Sequence, residues 1–554
     1  MNMVTQAYYP LHIEWRGFFM LLLEINKVKK YYADRLIIDI DNLLVYTGDK
    51  IGIVGVNGAG KSTLLNMLCS KSSCDEGSIK MYGGYSYITQ IDEPENISEN
   101  EKNTLSGGEK TKLKIQNAFN KNSSVLLADE PTCNLDIAGI KMLEKKLKNY
   151  KGSILIVSHD RELLDNVCNK IIELDNGKIK LYNANYSQYI KQKQLEKITL
   201  QGEYEEYIKE KKKLEMCIDK TKEKSNSIRR APKRMGNSEA RLHKMGGQKG
   251  KMNLDNAAKA LESRLNRLEV KEKPKDIEKM KLDIKTAEGV YSKILIEGKN
   301  INKAFNKKCI FKNGFFQIYN GSKVALVGPN GCGKTTLIKM ILNGEKGIVI
   351  SNILKIGYFS QNLNILDESK TILQNVMGTS IYDETFARTI LGRLLFKRED
   401  VYKKIPVLSG GEKVKVALAK IILSDVNTLI LDEPTNYLDI YSVEALEKMF
   451  SEYNGTVLFV SHDRRFINKV ANKTMVIENH KISMYDGNYD EFLETLNKNK
   501  DMDKNELKMQ KMILENRLSE VIGRLSMPSK NDDVEKLDAE YKKILNMLAE
   551  LKDI

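Results

Sequence analysis

Two segments of this 554-residue chain carry the pattern GxxxxGK[ST]. Gly55, Gly58, Gly60, Lys61 and Ser62 fill the first, with Asn57 and Thr63 alongside. Gly328, Gly331, Gly333, Lys334 and Thr335 fill the second, with Asn330 and Thr336. Glycines let successive backbone N–H groups close around an anion, and a helix starting there adds its positive dipole end. The lysine neutralises phosphate oxygens, and the hydroxyl ligates Mg²⁺. Further along each half an apolar run ends in two acids, Asp129-Glu130 and Asp432-Glu433. The first acid of each pair is suited to the Mg²⁺ shell, and the second to polarising an attacking water. His159 and His462, two of only five histidines, occupy matching places after another apolar run, where a γ-phosphate contact is the natural role. ATP and Mg²⁺ are the cofactors this chemistry requires.

The elements that must position these residues occur twice. Residues 48–63 match 321–336, LSGGE at 105–109 recurs at 408–412, VLLADEPTCNLD at 125–136 matches TLILDEPTNYLD at 428–439, and ILIVSHDR at 154–161 matches VLFVSHDR at 457–464. The chain is a tandem duplication. Its strand segments are continuously apolar, as in a parallel sheet covered on both faces. The fold class is therefore α/β, with two phosphate-loop ATPase domains joined by a long helical hairpin and followed by a C-terminal coiled-coil hairpin. The domains are placed at 20–185 and 291–497, the linker at 186–290 and the tail at 498–554. Residues 1–19 are an irregular extension, and translation is expected to begin at Met20.

The net charge is +15, and residues 191–290 carry 27 Lys+Arg against 17 Asp+Glu, two thirds of that excess. Leu200, Tyr204, Tyr207, Lys211, Leu214 and Ile218 form one heptad stripe, and Leu254, Ala258, Leu261, Leu265 and Leu268 form another, so the segment reads as an antiparallel hairpin. Its tip, about 228–251, holds Arg229, Arg230, Lys233, Arg234, Arg241, Lys244, Lys249 and Lys251 against the single acid Glu239. Pro232, Gly236, Gly246, Gly247 and Gly250 mark the tip as a turn. So concentrated a charge calls for a polyanion, with ribosomal RNA the natural candidate. In the tail, Leu507, Leu514, Leu518, Val521 and Leu525 pair with Val534, Leu537, Tyr541, Ile544, Leu548 and Leu551 about Pro528. Seven scattered cysteines form no CxxC pair and suit a reducing cytoplasm. No apolar run approaches the ~18 residues that span a bilayer.

Phosphate loop, LSGGE, strand-end Asp-Glu and histidine, twice in one chain, resemble the ATP-binding-cassette ATPases. The EPTxxLD runs are similar to class F of that superfamily, tandem-cassette proteins that act on ribosomes. The linker words APKRMGNSEARLHKMGGQKGK resemble its Gram-positive antibiotic-resistance branch, of the lincosamide–streptogramin A–pleuromutilin type. The resemblance implies head-to-tail pairing of the cassettes within a monomer. One site would join Lys61, Ser62, Asp129 and Glu130 to Ser409, Gly410 and Gly411; the other would join Lys334, Thr335, Asp432 and Glu433 to Ser106, Gly107 and Gly108. It further implies Gln90 and Gln361 as metal contacts and Tyr32 and Phe305 as adenine-stacking aromatics, although either ring could instead belong to a core. The implied target is the ribosome's tRNA exit site, where the tip reaches toward the peptidyl-transferase centre and the P-site tRNA. Only fourteen residues separate Gln90 from Leu105, against 46 between Gln361 and Leu408, which leaves no room for the arm of some housekeeping members. Cys133 and Asn134, and Tyr437, replace usual Asn-His residues, so hydrolysis is expected at both sites, with room for unequal rates. A housekeeping translation or ribosome-assembly factor, a transporter's ATPase subunit and a DNA-binding ATPase are the competing readings.

Overall fold

The structure, a computed structural model, describes residues 20–89, 107–228, 237–271, 293–305, 308–360, 363, 365–526 and 534–550. The first cassette contributes β1 (Leu21–Tyr32), β2 (Arg35–Tyr46), β3 (Lys50–Val54), β4 (Glu76–Met81), β5 (Tyr85–Ile88), β6 (Val125–Asp129), β7 (Ser153–Val157), β8 (Lys170–Asp175) and β9 (Lys178–Tyr182). Its helices are α1 (Lys61–Leu68), α2 (Gly107–Asn120), α3 (Ile137–Lys148) and α4 (Arg161–Val167). The hairpin follows as α5 (Tyr186–Ser227) and α6 (Asn237–Arg267).

The second cassette repeats this plan. Its strands are β10 (Ile294–Phe305), β11 (Lys308–Tyr319), β12 (Lys323–Val327), β13 (Ile348–Ile350), β14 (Ile356–Phe359), β15 (Thr428–Asp432), β16 (Thr456–Val460), β17 (Lys473–Glu478) and β18 (Lys481–Asp486). Its helices are α7 (Lys334–Leu342), α8 (Ile372–Met377), α9 (Glu384–Arg393), α10 (Gly410–Ile422), α11 (Ile440–Glu452) and α12 (Arg464–Val470), and the tail adds α13 (Tyr489–Ser526) and α14 (Val534–Glu550).

The two main sheets have matching orders, β5-β6-β7-β3-β8-β9 and β14-β15-β16-β12-β17-β18. The first five strands of each run parallel, and the sixth is antiparallel to its neighbour. Parallel strands need helical crossovers that cover both faces, which is why β6, β7, β15 and β16 are buried along their whole length. Each cassette adds a three-stranded antiparallel sheet, β2-β1-β4 or β11-β10-β13. The consequence for function is alignment. β3 and β12 end in the phosphate loops, β6 and β15 end in the acid pairs, and β7 and β16 lead to the histidines, in each cassette at the carboxyl edge of its own sheet.

Both heptad hairpins are present. Leu214, Ile218 and Ala258 are buried between α5 and α6, and Ser225 Oγ donates to Asp255 Oδ1 at 2.6 Å. Leu200 departs from the expected stripe. It is exposed, because the stems pack over their tipward part. Of the residues expected to make the tip's turn, Pro232 and Gly236 lie outside the described residues, and the glycines at 246, 247 and 250 are helical. α6 begins at Asn237 and runs through Gly246, Gly247 and Gly250. Each glycine costs a helix about 1 kcal/mol relative to alanine, and packing of the adjoining stem outweighs that penalty. In the tail, Val521 and Ile544 form a core with Leu514, Leu518, Leu525, Tyr541 and Leu548. Among the described residues no helix is long and apolar enough to cross a membrane.

Candidate active site

Each phosphate loop has a shape that its glycines make possible. Gly60 (φ 103°) and Gly333 (φ 107°) cap α1 and α7 in the left-handed region. A Cβ at Gly333 would lie 2.5 Å from Ile310 Cγ2, so both conformation and space exclude a side chain there. Gly55 and Gly328 lie tight against Leu174 O and Ile477 O (2.5 and 2.7 Å from an added Cβ), and Gly58 and Gly331 also take positive φ. The lysines fold back onto the loops. Lys61 Nζ donates to Gly55 O (2.8 Å) and Val56 O (3.1 Å), and Lys334 Nζ to Gly328 O (2.8 Å) and Pro329 O (3.1 Å).

The hydroxyls meet the first acids. Thr335 Oγ1 donates to Asp432 Oδ2 at 3.1 Å, and Ser62 bonds to Asp129. The second acids meet the histidines. His159 Nε2 lies 3.3 Å from Glu130 Oε1, and His462 Nε2 lies 3.2 Å from Glu433 Oε1. Burial pushes Glu130 up to about 8 and Glu433 up to about 7, while it drives His159 down to about 3 and His462 to about 4. Both histidines are thus neutral donors near neutral pH, and both glutamates are poised to take a proton there.

The predicted partners from the opposite cassette are present. One cleft of about 1300 Å³ is lined by Asn57, Lys61, Ser62, Thr63, Asp129 and Glu130 together with Ser409, Gly410 and Gly411, and by Asn330, Lys334, Thr335, Thr336, Asp432 and Glu433 with Gly107 and Gly108. Head-to-tail contact is direct. Across the interface, a Cβ on Gly411 would meet Asn57 Nδ2 at 3.0 Å and one on Gly108 would meet Asn330 Nδ2 at 2.7 Å, while Tyr437 O (2.5 Å) and Asn134 O (2.8 Å) crowd them from the glycine's own cassette. Tyr32 and Phe305 stand at the rim, 55% and 54% exposed, under Lys30 Nζ (6.0 Å) and Lys303 Nζ (5.6 Å). Neither ring belongs to a core. Ser106, Gln90 and Gln361 lie outside the described residues, as do Arg229, Arg230, Lys233 and Arg234. Arg241 and Lys244 fall within α6, where Lys249 is exposed and Lys251 half-buried.

Residues outside the predicted set join the cassettes. Asp439 Oδ2 accepts from Asn57 N (3.1 Å) while Oδ1 caps α11 through Ser442 N (2.8 Å). Asp136 does the same with Asn330 N (3.0 Å) and Gly139 N (2.8 Å) at α3. Asn57 Nδ2 and Asn330 Nδ2 donate to Tyr437 O (2.9 Å) and Asn134 O (2.8 Å). Arg161, just after His159, pairs with Glu447 across the interface, and its counterpart Arg464 reaches Glu144 (3.2 Å). The repetition of EPTxxLD and SHDR in register is the one signal in the sequence that singles out these acids and arginines.

The site accommodates a nucleotide. Among the described residues, Asp129 Oδ1 and Glu433 Oε2 are buried without a hydrogen-bond partner, and the lysines turn their ammonium groups onto backbone carbonyls. Among the described residues no three His, Cys, Asp or Glu side chains cluster as a metal cage.

An ABC transporter family model matches residues 38–94, 85–133 and 311–436, and a second one of that description matches 172–284. The ribosome protection protein VmlR of Bacillus subtilis is 31% identical over 555 residues, covering 96% of this chain and 98% of that protein. The erythromycin resistance ATP-binding protein MsrA of Staphylococcus epidermidis is 33% identical over 81% of this chain and 96% of its own length. The ATP-binding protein Uup of Escherichia coli is 29% identical over 85% and 82%. Among solved structures, the archaeal ribosome recycling factor aABCE1, in complex with the stalk protein aP1, matches in fold with a TM-score of 0.54 at 20% identity, over 82% of this chain and 89% of its own.

Proposed function

We propose a ribosome-directed function on one premise: the chain belongs to the ABC-F family of ATP-binding-cassette proteins. It is an ATPase, and ATP is proposed to bind at the two phosphate-loop sites that line the cleft between its cassettes. The proposed holders of Mg²⁺ are Ser62 with Asp129 and Thr335 with Asp432, with Gln90 and Gln361 assigned there by resemblance. When bound, the ion neutralises phosphate charge. Lys61 and Lys334 leave their carbonyl partners for phosphate oxygens, the phosphate-loop amides hold those oxygens in place, and Glu130 and Glu433 take the proton of the attacking water. His159 and His462, kept neutral by burial, donate toward the phosphate. Ser409–Gly411 and Ser106–Gly108 close each site from the opposite cassette, so the nucleotide favours the paired state.

The proposed target is the ribosome in the cytoplasm, and the proposed outcome is protection from antibiotics that act at the peptidyl-transferase centre. One observation carries this reading. The paired cassettes hold out a hairpin whose first helix has 42 residues, about 60 Å at 1.5 Å each, and the surplus positive charge lies at its far end. On this reading phosphate contacts fix the tip against large-subunit RNA near the tRNA exit site, and the stems set its reach. The domain bounds at 186–290 and 498–554 are part of the proposal. Glu130→Gln with Glu433→Gln should trap ATP and make the full chain co-sediment with ribosomes. The Arg229–Lys251 tip should be required for resistance in a panel of lincosamide, pleuromutilin and streptogramin A drugs. Absence of co-sedimentation would refute the target, and unchanged drug sensitivity on gene deletion would favour a housekeeping role.

A further inference from the structure

α5 leaves the first cassette, yet its opening turns are held by the second. Tyr441, the second residue of α11, accepts at its hydroxyl from Lys193 Nζ (3.0 Å), lies 3.3 Å from the hydroxyl of Tyr189 and donates to Glu173 Oε1 (3.2 Å). Lys193 and Tyr189 belong to α5, and Glu173 belongs to β8 of the first cassette, where Lys193 also binds it. Tyr189 and Glu173 are buried and Tyr441 and Lys193 half-buried, so these bonds are partly shielded from water. One phenol therefore ties together both cassettes and the linker.

Its position on α11 is what matters. Two residues earlier stands Asp439, the cap of that helix, whose other oxygen holds the backbone N–H of Asn57 in the first phosphate loop. The contact with the first ATP site and the grip on α5 are thus built on one rigid helix start. If α11 moves away from the phosphate loop, Tyr441 must either release α5 or drag it along. Among the described residues the second site shows no such tie. The residue two past Asp136 is Ala138, which has no polar side-chain atom to offer.

We propose that Tyr441 is a positioning residue that transmits closure of the first ATP site to the linker hairpin, while the second site lacks this connection. The proposal rests on the nucleotide reading of the clefts and not on the identity of the hairpin's target. It assigns unequal tasks to two sites whose catalytic groups match almost residue for residue. A second contact supplies a control. Arg465, on α12, holds the first turn of α5 through Ser187 Oγ (3.3 Å) and Asp165 Oδ2 (3.1 Å) without passing through Asp439.

Hydrogen exchange of residues 186–200, followed by mass spectrometry in the full chain with and without ATP and Mg²⁺, tests this. In the Glu130→Gln background ATP should protect this segment, and adding Tyr441→Phe should abolish the ATP-dependent part. Arg465→Ala should instead lower protection equally with and without nucleotide. In the Glu433→Gln background Tyr441→Phe should again abolish what ATP adds, because only the first site has the tie. Lys193→Met removes the same hydroxyl's partner from the linker side; its effect should not add to that of Tyr441→Phe, and it serves if the latter folds poorly. ATP-dependent protection unchanged by either variant would overturn the proposal. A separate nucleotide titration identifies the other failure: no ATP binding in the parental variants would sink the reading of the clefts themselves.

Discussion

Glu130 and Glu433 hold left-handed backbone conformations, φ 48° and 54°, that cost a side-chain-bearing residue energy, and they hold them where each carboxylate faces its histidine. Burial then sets their chemistry. A general base acts only when ionised, and a pKa raised above the ordinary glutamate value moves the ionised form toward higher pH. With Glu433→Gln isolating the first site, kcat/KM should climb about tenfold per pH unit and level off near pH 8. With Glu130→Gln isolating the second, the plateau should come near pH 7. The histidines stay neutral across this range and add no limb of their own. Superimposable profiles that are flat from pH 5 upward would contradict the assignment. The signature glycines act by being small. Alanine at Gly411 would put a methyl 3.0 Å from Asn57 Nδ2 of the opposite phosphate loop, and at Gly108 one 2.7 Å from Asn330 Nδ2. An overpacking cost of ~1–3 kcal/mol on the closed state corresponds to about a five- to 150-fold loss of turnover. Steady-state ATPase assays of Gly411→Ala and Gly108→Ala check this, and unimpaired turnover in both would show that closure does not need the tight fit.

At the scale of elements, α3 and α11 each begin at an aspartate with two duties. Asp439→Ala should lose a helix cap, about 1 kcal/mol, and also the bond to the opposite phosphate loop. Asp439→Asn keeps an oxygen for the cap and should recover most of the melting temperature, but less of the ATP affinity. Equal affinity in the two variants, by calorimetric titration, would show that the cross-cassette bond carries no weight. This arrangement also marks the limit of what the sequence discloses. Lys61, Asp129, Glu130 and His159 are legible because phosphate chemistry fixes residue type and spacing, and the duplication confirms each by its twin. The sheets are legible from fully apolar runs bounded by turns. Asp439 and Asn57 stand 382 residues apart, and no local pattern says that one holds the other. The glycines of α6 mislead for a related reason. They are local breakers, overruled by a helix whose stability comes from packing against its neighbour farther along.

For the whole molecule, two cross-cassette ion pairs and two phosphate loops held by opposite-cassette aspartates form a pseudo-symmetric frame, and the hairpin breaks its symmetry. Arg161 and Glu447, 4% and 1% exposed, are the most buried part of that frame. Among the described residues Arg161 finds its acids only in the opposite cassette, whereas Glu447 keeps Lys469 Nζ at 2.9 Å within its own, so parting the cassettes would strand the buried guanidinium. The hairpin stems carry exposed ion pairs, Arg264 to Glu210 at 3.0 Å and Lys222 to Glu262 at 2.7 Å, each worth little alone. The excess of cations is concentrated in the sequence of the tip, from Arg229 to Lys251. If that excess meets RNA, its contribution is measurable through salt. Removing one cation that pairs with a phosphate should lower the slope of log affinity against log salt by about one. Lys249→Ala with Lys251→Ala, assayed for ribosome co-sedimentation in the Glu130→Gln, Glu433→Gln background, should weaken binding most at low salt and reduce that slope by up to about two. A slope unchanged by the pair would exclude these two lysines from RNA binding, and if neutralising all eight tip cations also left it unchanged, the tip would have no electrostatic hold on RNA.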